Sequence, residues 1–186
     1  MTDREGLKIT DLIDTASSKL TTQNYSLNES IDGVEIIELE THVGEQGDFS
    51  EVLVLNEAGE VEGIPGFKLA QINRTRLLPN SIKAWHLHLK QYEMWFVPPT
   101  SQLFVGLWDV RKDSSTSGKS LRINMGGGKS EILIIPKGVA HGSGNFSGKE
   151  AELIYFVNRS FNRENPDEHR LPWDTLGSDF WTPAKD

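Results

Sequence analysis

Apolar and polar residues alternate along most of the middle of the chain. Val34-Glu35-Ile36-Ile37-Glu38-Leu39 is the first such run. Runs rich in β-branched and aromatic residues follow at 67–77, 81–89, 92–97, 103–110, 120–125, 131–135 and 151–158. That period and composition predict β-strands. Turn-forming segments separate them: Gly63-Ile64-Pro65-Gly66, Leu78-Pro79-Asn80, Pro98-Pro99, Asp113-Ser114-Ser115 and Gly126-Gly127-Gly128. Many short strands with no long helical period between them predict an all-β sandwich or closed barrel. A helical spacing occurs only at 9–20, inside a polar, weakly patterned stretch. Beyond Phe161 the chain is charged and proline-containing, then aromatic from Trp173 to Trp181. That tail is expected to pack back across a barrel mouth. The expected organisation is an N-terminal extension (1–30), a barrel (31–165) and a C-terminal tail (166–186).

Composition narrows the partners. A chain of 186 residues favours one domain with a substantial core. Its net charge of −8 argues against nucleic acid and against an anionic membrane surface. Any phosphate site must therefore be locally basic. There is no cysteine, so disulfides, thiolate metal sites and a cysteine nucleophile are excluded. The first residues are polar and acidic with no apolar run behind them. No secretory signal or membrane helix is expected, and the cytoplasm is the expected location.

Histidines mark the candidate chemistry. Trp85-His86-Leu87-His88 lies in one strand, where alternation turns His86 and His88 the same way, and Glu93 follows. Pro136-Lys137-Gly138-Val139-Ala140-His141 places a third histidine just after a tight turn, with Asn145 beyond. Two readings stand side by side. His86, His88, Glu93 and His141 offer three imidazoles and a carboxylate, a donor set for a divalent transition metal. Their spacing resembles the two signature motifs of metal-binding cupins. Such a protein could be an oxygenase, an isomerase or a binder. The second reading is metal-free acid–base chemistry next to a ketone, with His86 as base, Asp174 fixing its tautomer and Tyr155 as acid on the opposite side. Taken singly, Tyr155 reads as a core tyrosine and Asp174 as a solvated carboxylate. Two other motifs fail. Gly128-Lys129-Ser130 lacks the leading glycine of a phosphate loop, since residue 123 is Ile123. Gly142-Ser143-Gly144 lacks the glycine spacing of a nucleophile elbow.

Over roughly 45–182 the chain resembles the dTDP-4-dehydrorhamnose 3,5-epimerase family. The resemblance runs through Gly47-Asp48-Phe49-Ser50-Glu51, Gln71-Ile72-Asn73-Arg74-Thr75 and the His86 strand. It continues in Trp108-Asp109-Val110-Arg111, in Ser114 to Lys119, and in Ile135 to Gly142. It ends with Tyr155, Pro166-Asp167-Glu168 and Trp173-Asp174. It implies a cupin jelly roll (a double-stranded β-helix) with short flanking helical segments, a homodimer and no cofactor. The implied substrate is a nucleotide-linked 4-keto-6-deoxy sugar. By resemblance His86 would be the base, Asp174 its orienting partner and Tyr155 the acid. Phe49, Glu51, Gln71, Asn73 and Lys83 would contact substrate, with Phe49 near the thymine and His141 near the phosphates. The chain also departs from the family. Gln46 and Lys83 stand where the family carries arginines, Glu93 replaces a lysine, and Phe161 replaces a tyrosine. A charged hydrogen bond to phosphate contributes about 1.5–3 kcal/mol, so these changes are expected to weaken the diphosphate grip.

Overall fold

The computed structural model describes residues 6–22 and 29–184. Parts of the expected N-terminal extension, 1–5 and 23–28, lie outside the described residues. Among the described residues twelve strands occur in chain order: β1 (Glu35–Glu38), β2 (Thr41–Gly44), β3 (Gly47–Ser50), β4 (Gln71–Leu77), β5 (Ser81–Leu87), β6 (Glu93–Phe96), β7 (Gln102–Asp109), β8 (Ser120–Gly126), β9 (Glu131–Ile135), β10 (Val139–Asn145), β11 (Ala151–Val157) and β12 (His169–Arg170). They form two antiparallel five-stranded sheets, ordered β1-β9-β6-β11-β4 and β12-β5-β10-β7-β8, and a separate β2–β3 hairpin. Every run expected from alternation contains a strand.

Three layers of apolar side chains hold the sheets. Leu77, Trp95, Leu103, Val105, Leu107, Leu133 and Leu153 meet between the two sheets. Met94, Phe96, Ile132 and Phe156 face the other way, where Val61 and Phe67 cover them. β6 is therefore buried on both faces, and its sequence Glu93-Met94-Trp95-Phe96 loses the usual polar side. Alternation still operates within it. Glu93 and Trp95 point between the sheets, whereas Met94 and Phe96 point outward.

The C-terminal tail does two things instead of one. Residues 167–170 run beside the space between the sheets, where β12 pairs with β5. The aromatic end does not cross a mouth. Phe180 and Trp181 pack on the outer face of the second sheet, with ring centroids 5.1 and 5.0 Å from Trp85. Trp181 Nε1–H donates to the Trp173 carbonyl at 2.9 Å. Burying such rings contributes roughly 1.5–3 kcal/mol each, which outweighs what a polar cavity mouth offers them.

Residues 9–20 do not form the expected helix. They make a 3₁₀ turn at Ile9–Asp11 and one helical turn (α1, Asp14–Ser17). Ile9, Ile13 and Leu20 stay exposed, so no apolar face is buried to stabilise a longer element. No helix among the described residues is long and apolar enough to cross a membrane.

One irregularity positions the site. β5 and β10 pair antiparallel with His86 opposite His141 and Lys83 opposite Ser143. Three steps along β5 thus match two along β10, a bulge at Ala84 and Trp85. Gly142 faces that bulge. A Cβ there would lie 2.4 Å from Ala84 Cβ and 2.9 Å from the Lys83 carbonyl oxygen. Only glycine admits this approach of backbones. The extra residue resets the alternation, so Lys83, His86 and His88 all reach the space between the sheets.

Candidate active site

That space is a cavity of about 920 Å³, near the upper end of the roughly 300–1,000 Å³ usual for small-molecule sites. One wall carries Lys83, His86, His88, His141 and Ser143 from β5, β10 and the residue after β5. The facing wall carries Gln71, Asn73 and Thr75 of β4, Tyr155 of β11, and Glu93 and Trp95 of β6. Register explains the grouping. Tyr155 lies between Asn73 and Trp95, and Val157 between Gln71 and Glu93.

Glu93 sits at the floor, 4% exposed on a central strand. Its Oε1 accepts from Gln91 Nε2 at 2.8 Å and lies 3.0 Å from His88 Nε2. Its Oε2 accepts from Trp95 Nε1 at 2.6 Å and lies 3.4 Å from His141 Nε2. Four nitrogens thus address the four lone-pair sites of one carboxylate. Burial alone would raise the Glu93 carboxyl. The charge and hydrogen bonding of His141 and His88 outweigh it and hold that carboxyl well below the usual range. His88 shows the converse. Burial disfavours its charged form, but the hydrogen bond and charge of Glu93 raise its pKa overall. Its Nδ1–H donates to the Asp167 carbonyl.

His86 stands one step toward the opening, its ring 6.1 Å from that of His141. Its Nδ1 lies 2.7 Å from Glu168 Oε1. Tyr155, across the cavity, has its phenol pKa raised by burial first and then by Glu93 and Glu168. It therefore stays protonated at neutral pH.

The geometry brings together most of the residues singled out in the sequence, but not all. His86, Tyr155, Gln71, Asn73, Lys83 and His141 line one cavity. Gln71 Nε2 donates to Asn73 Oδ1 at 2.6 Å, and Lys83 Nζ to Thr75 Oγ1 at 2.7 Å. His141 is not free to meet phosphate. Its Nδ1–H donates to the Val139 carbonyl at 3.0 Å and its Nε2 faces Glu93. Asp174 is absent from the lining and exposed, in a turn where its carbonyl accepts from the Gly177 N–H at 2.7 Å. The carboxylate on His86 is that of Glu168. Phe49 and Glu51 also lie outside the lining, Phe49 61% exposed on the β2–β3 hairpin. Among the residues missed are Glu168, Lys90 and Arg159, all in the lining. The adjacent acids Asp167-Glu168 were the available signal for the first.

The metal reading meets a partial fit. Donor atoms of His88, Glu93 and His141 lie within 4.8 Å of one another, enough for a three-ligand centre. His86 does not join that group, and Glu168 holds its Nδ1. The four-donor set expected from the spacing does not form.

Comparison with known proteins bears on the choice between chemistries. The sequence matches the family dTDP-4-dehydrorhamnose 3,5-epimerase over residues 28–182. It is 38% identical over 154 residues to the spore coat polysaccharide biosynthesis protein SpsL of Bacillus subtilis strain 168, covering 82% of this chain and 97% of that protein. It is 29% identical over 145 residues to the probable low-salt glycan biosynthesis epimerase of Haloferax volcanii, covering 78% and 90%. The fold is similar to that of a Legionella pneumophila dTDP-6-deoxy-D-glucose-3,5-epimerase in complex with dTDP-4-keto-L-rhamnose. The TM-score is 0.67 at 26% identity, covering 80% of this chain and 78% of that one. The architecture is the cupin jelly roll, and acid–base chemistry is favoured over the metal reading. With its two facing sheets and a histidine opposite a tyrosine across the cavity, the chain belongs to the dTDP-4-dehydrorhamnose 3,5-epimerase family.

Proposed function

We propose that this epimerase-like enzyme inverts carbon next to the ketone of a nucleotide-linked 4-keto-6-deoxy sugar, with no metal or other cofactor. The observation that carries the reading is His86 facing Tyr155 across one cavity, the imidazole held through Nδ1 and the phenol kept protonated. His86 Nε2 takes the proton from the carbon α to the ketone. The C–H electron pair forms the carbon–carbon double bond of an enolate, and the carbonyl π pair moves to the oxygen. Tyr155 then returns a proton to the opposite face, and the two side chains re-equilibrate through solvent. Lys83, Lys90 and Arg159 supply cations at the lining for the diphosphate, in place of the family arginines the chain lacks. Gln71 and Asn73 contact the sugar or its nucleotide.

Incubating the protein in deuterated water with dTDP-4-keto-L-rhamnose tests this. Deuterium is expected at one or both carbons flanking the ketone. No incorporation, under conditions where a family member exchanges, would overturn the reading. Tyr155→Phe is expected to retain exchange while losing at least tenfold in inverted product. Equal loss of both would remove Tyr155 from the role of acid.

We also propose a homodimer in which the β2–β3 hairpin reaches a second copy. Val43 and Phe49 are 83% and 61% exposed there, and a partner's cavity would give Phe49 and Glu51 the substrate contact they lack in their own chain. Sedimentation is expected to give a dimer. A monomer at micromolar concentration would sink this arrangement.

A further inference from the structure

A base that uses one imidazole nitrogen needs the proton on the other nitrogen fixed, and the ring fixed with it. In this chain the carboxylate available for that task is on the strap of residues 167–170, which no motif had assigned a role. Glu168 Oε1 lies 2.7 Å from His86 Nδ1. The same oxygen accepts from Arg170 Nε at 3.1 Å and lies 2.9 Å from Arg170 Nη2. Its second oxygen stands 3.9 Å from His88 Nε2. The carboxylate is thereby held between an imidazole and a guanidinium, with its lone pairs directed at Nδ1.

The strap itself is fixed by its neighbour. Asp167 accepts the backbone N–H groups of Leu89, Lys90 and Gln91 at 3.0, 2.8 and 2.9 Å. Its carbonyl takes the His88 Nδ1–H. Beyond Glu168, Arg170 pairs with His86 in the β12–β5 ladder. Backbone on both sides of Glu168 is therefore tied to the strand that carries the base. Asp174, the carboxylate the resemblance offered, lies four residues past that ladder and is exposed.

We propose that Glu168 is the positioning residue of His86: it keeps the proton on Nδ1, aims Nε2 into the cavity and stabilises the imidazolium formed during proton transfer. This rests on His86 acting as the base.

The test compares Glu168→Gln, Glu168→Asp and Asp174→Asn with the wild-type protein. Nitrogen-15 spectra of the histidine rings, assigned by difference against His86→Gln, read the tautomer directly. Wild type is expected to show the Nδ1-protonated form of His86, and Glu168→Gln to lose it. In the exchange assay Glu168→Gln is expected to lower kcat on the order of 100-fold, with KM within threefold and a thermal midpoint near wild type. Glu168→Asp is expected to recover part of the tautomer signal and part of kcat. Asp174→Asn is expected to stay within twofold. An unchanged tautomer in Glu168→Gln, or the same losses in Asp174→Asn, would overturn the assignment. If wild type exchanges no 4-keto sugar nucleotide, the reading of the reaction fails, and the ring spectra alone decide what Glu168 does.

Discussion

His86→Ala is expected to abolish deuterium exchange into the sugar, with a loss of 10²–10⁴-fold or more in rate, the usual contribution of a positioned general base. The site gives no substitute. His88 and His141 face the cavity, but their Nδ1–H groups are committed to the carbonyls of Asp167 and Val139, and their Nε2 atoms face Glu93. Neither has a lone pair to spare for carbon. Ligand affinity is expected to change little, because His86 acts on the reacting carbon and the cations lie elsewhere on the lining. Exchange and binding should therefore be measured together. Retained exchange, within tenfold of wild type, would hand the role of base to another group. Binding lost in parallel would instead mark His86 as a structural residue of the wall.

Glu93→Ala is expected to destabilise the fold by about 3–5 kcal/mol, the usual effect of removing one partner from a buried ion cluster. For a chain of this length that corresponds to a thermal midpoint lower by roughly 6–20 °C. The substitution strips four nitrogens of their acceptor at once. The effect should depend on pH in a defined direction. Glu93 is depressed in the fold, so its contribution is present above its ordinary value of 4.5 and fades as pH falls toward the folded value. His88 is raised, so its contribution is complete below 6.5 and fades as pH rises through the folded value. The gap between wild type and variant should be widest between those two values. Denaturant unfolding across that range measures it, and a gap below 1 kcal/mol throughout would show that the cluster contributes nothing net to stability.

Alternation and turn chemistry were enough to read most of the barrel, because each core strand shows an apolar face of its own. They were enough, too, for His86 and His88, which alternation turns the same way, whereas His141 meets them through the register that sets it opposite His86. β10 was hidden for a specific reason. Gly142-Ser143-Gly144 has almost no strand propensity, yet all three are buried: Gly142 lies against the bulge at Ala84, and a Cβ at Gly144 would crowd the Phe146 ring. Lys83 would point away from His86 by strict alternation, and a bulge is not visible from one strand alone. The two-residue β12 was below the length at which a pattern can be seen. Glu168 was out of reach for another reason. The adjacent acids Asp167-Glu168 flag the segment, but its position depends on the Asp167 carboxylate binding a turn 76–78 residues earlier in the chain, a tertiary contact that the pair of acids does not reveal. Asp174 was the carboxylate the resemblance implied, and it lies past the strap that pairs with β5.

The bulge in β5 and the bare backbone of Gly142 also bear on how this site arose. The inserted residue and the missing side chain are of use only together. An extra residue opposite any side chain at position 142 would push the two strands apart, and a glycine opposite a regular strand would leave a gap. A lineage reaching this arrangement had to acquire both within a short interval, or pass through a weakened intermediate. Relatives should accordingly carry the pair or neither, and a glycine opposite the base strand becomes a marker for chains whose residue three before the base faces inward with it.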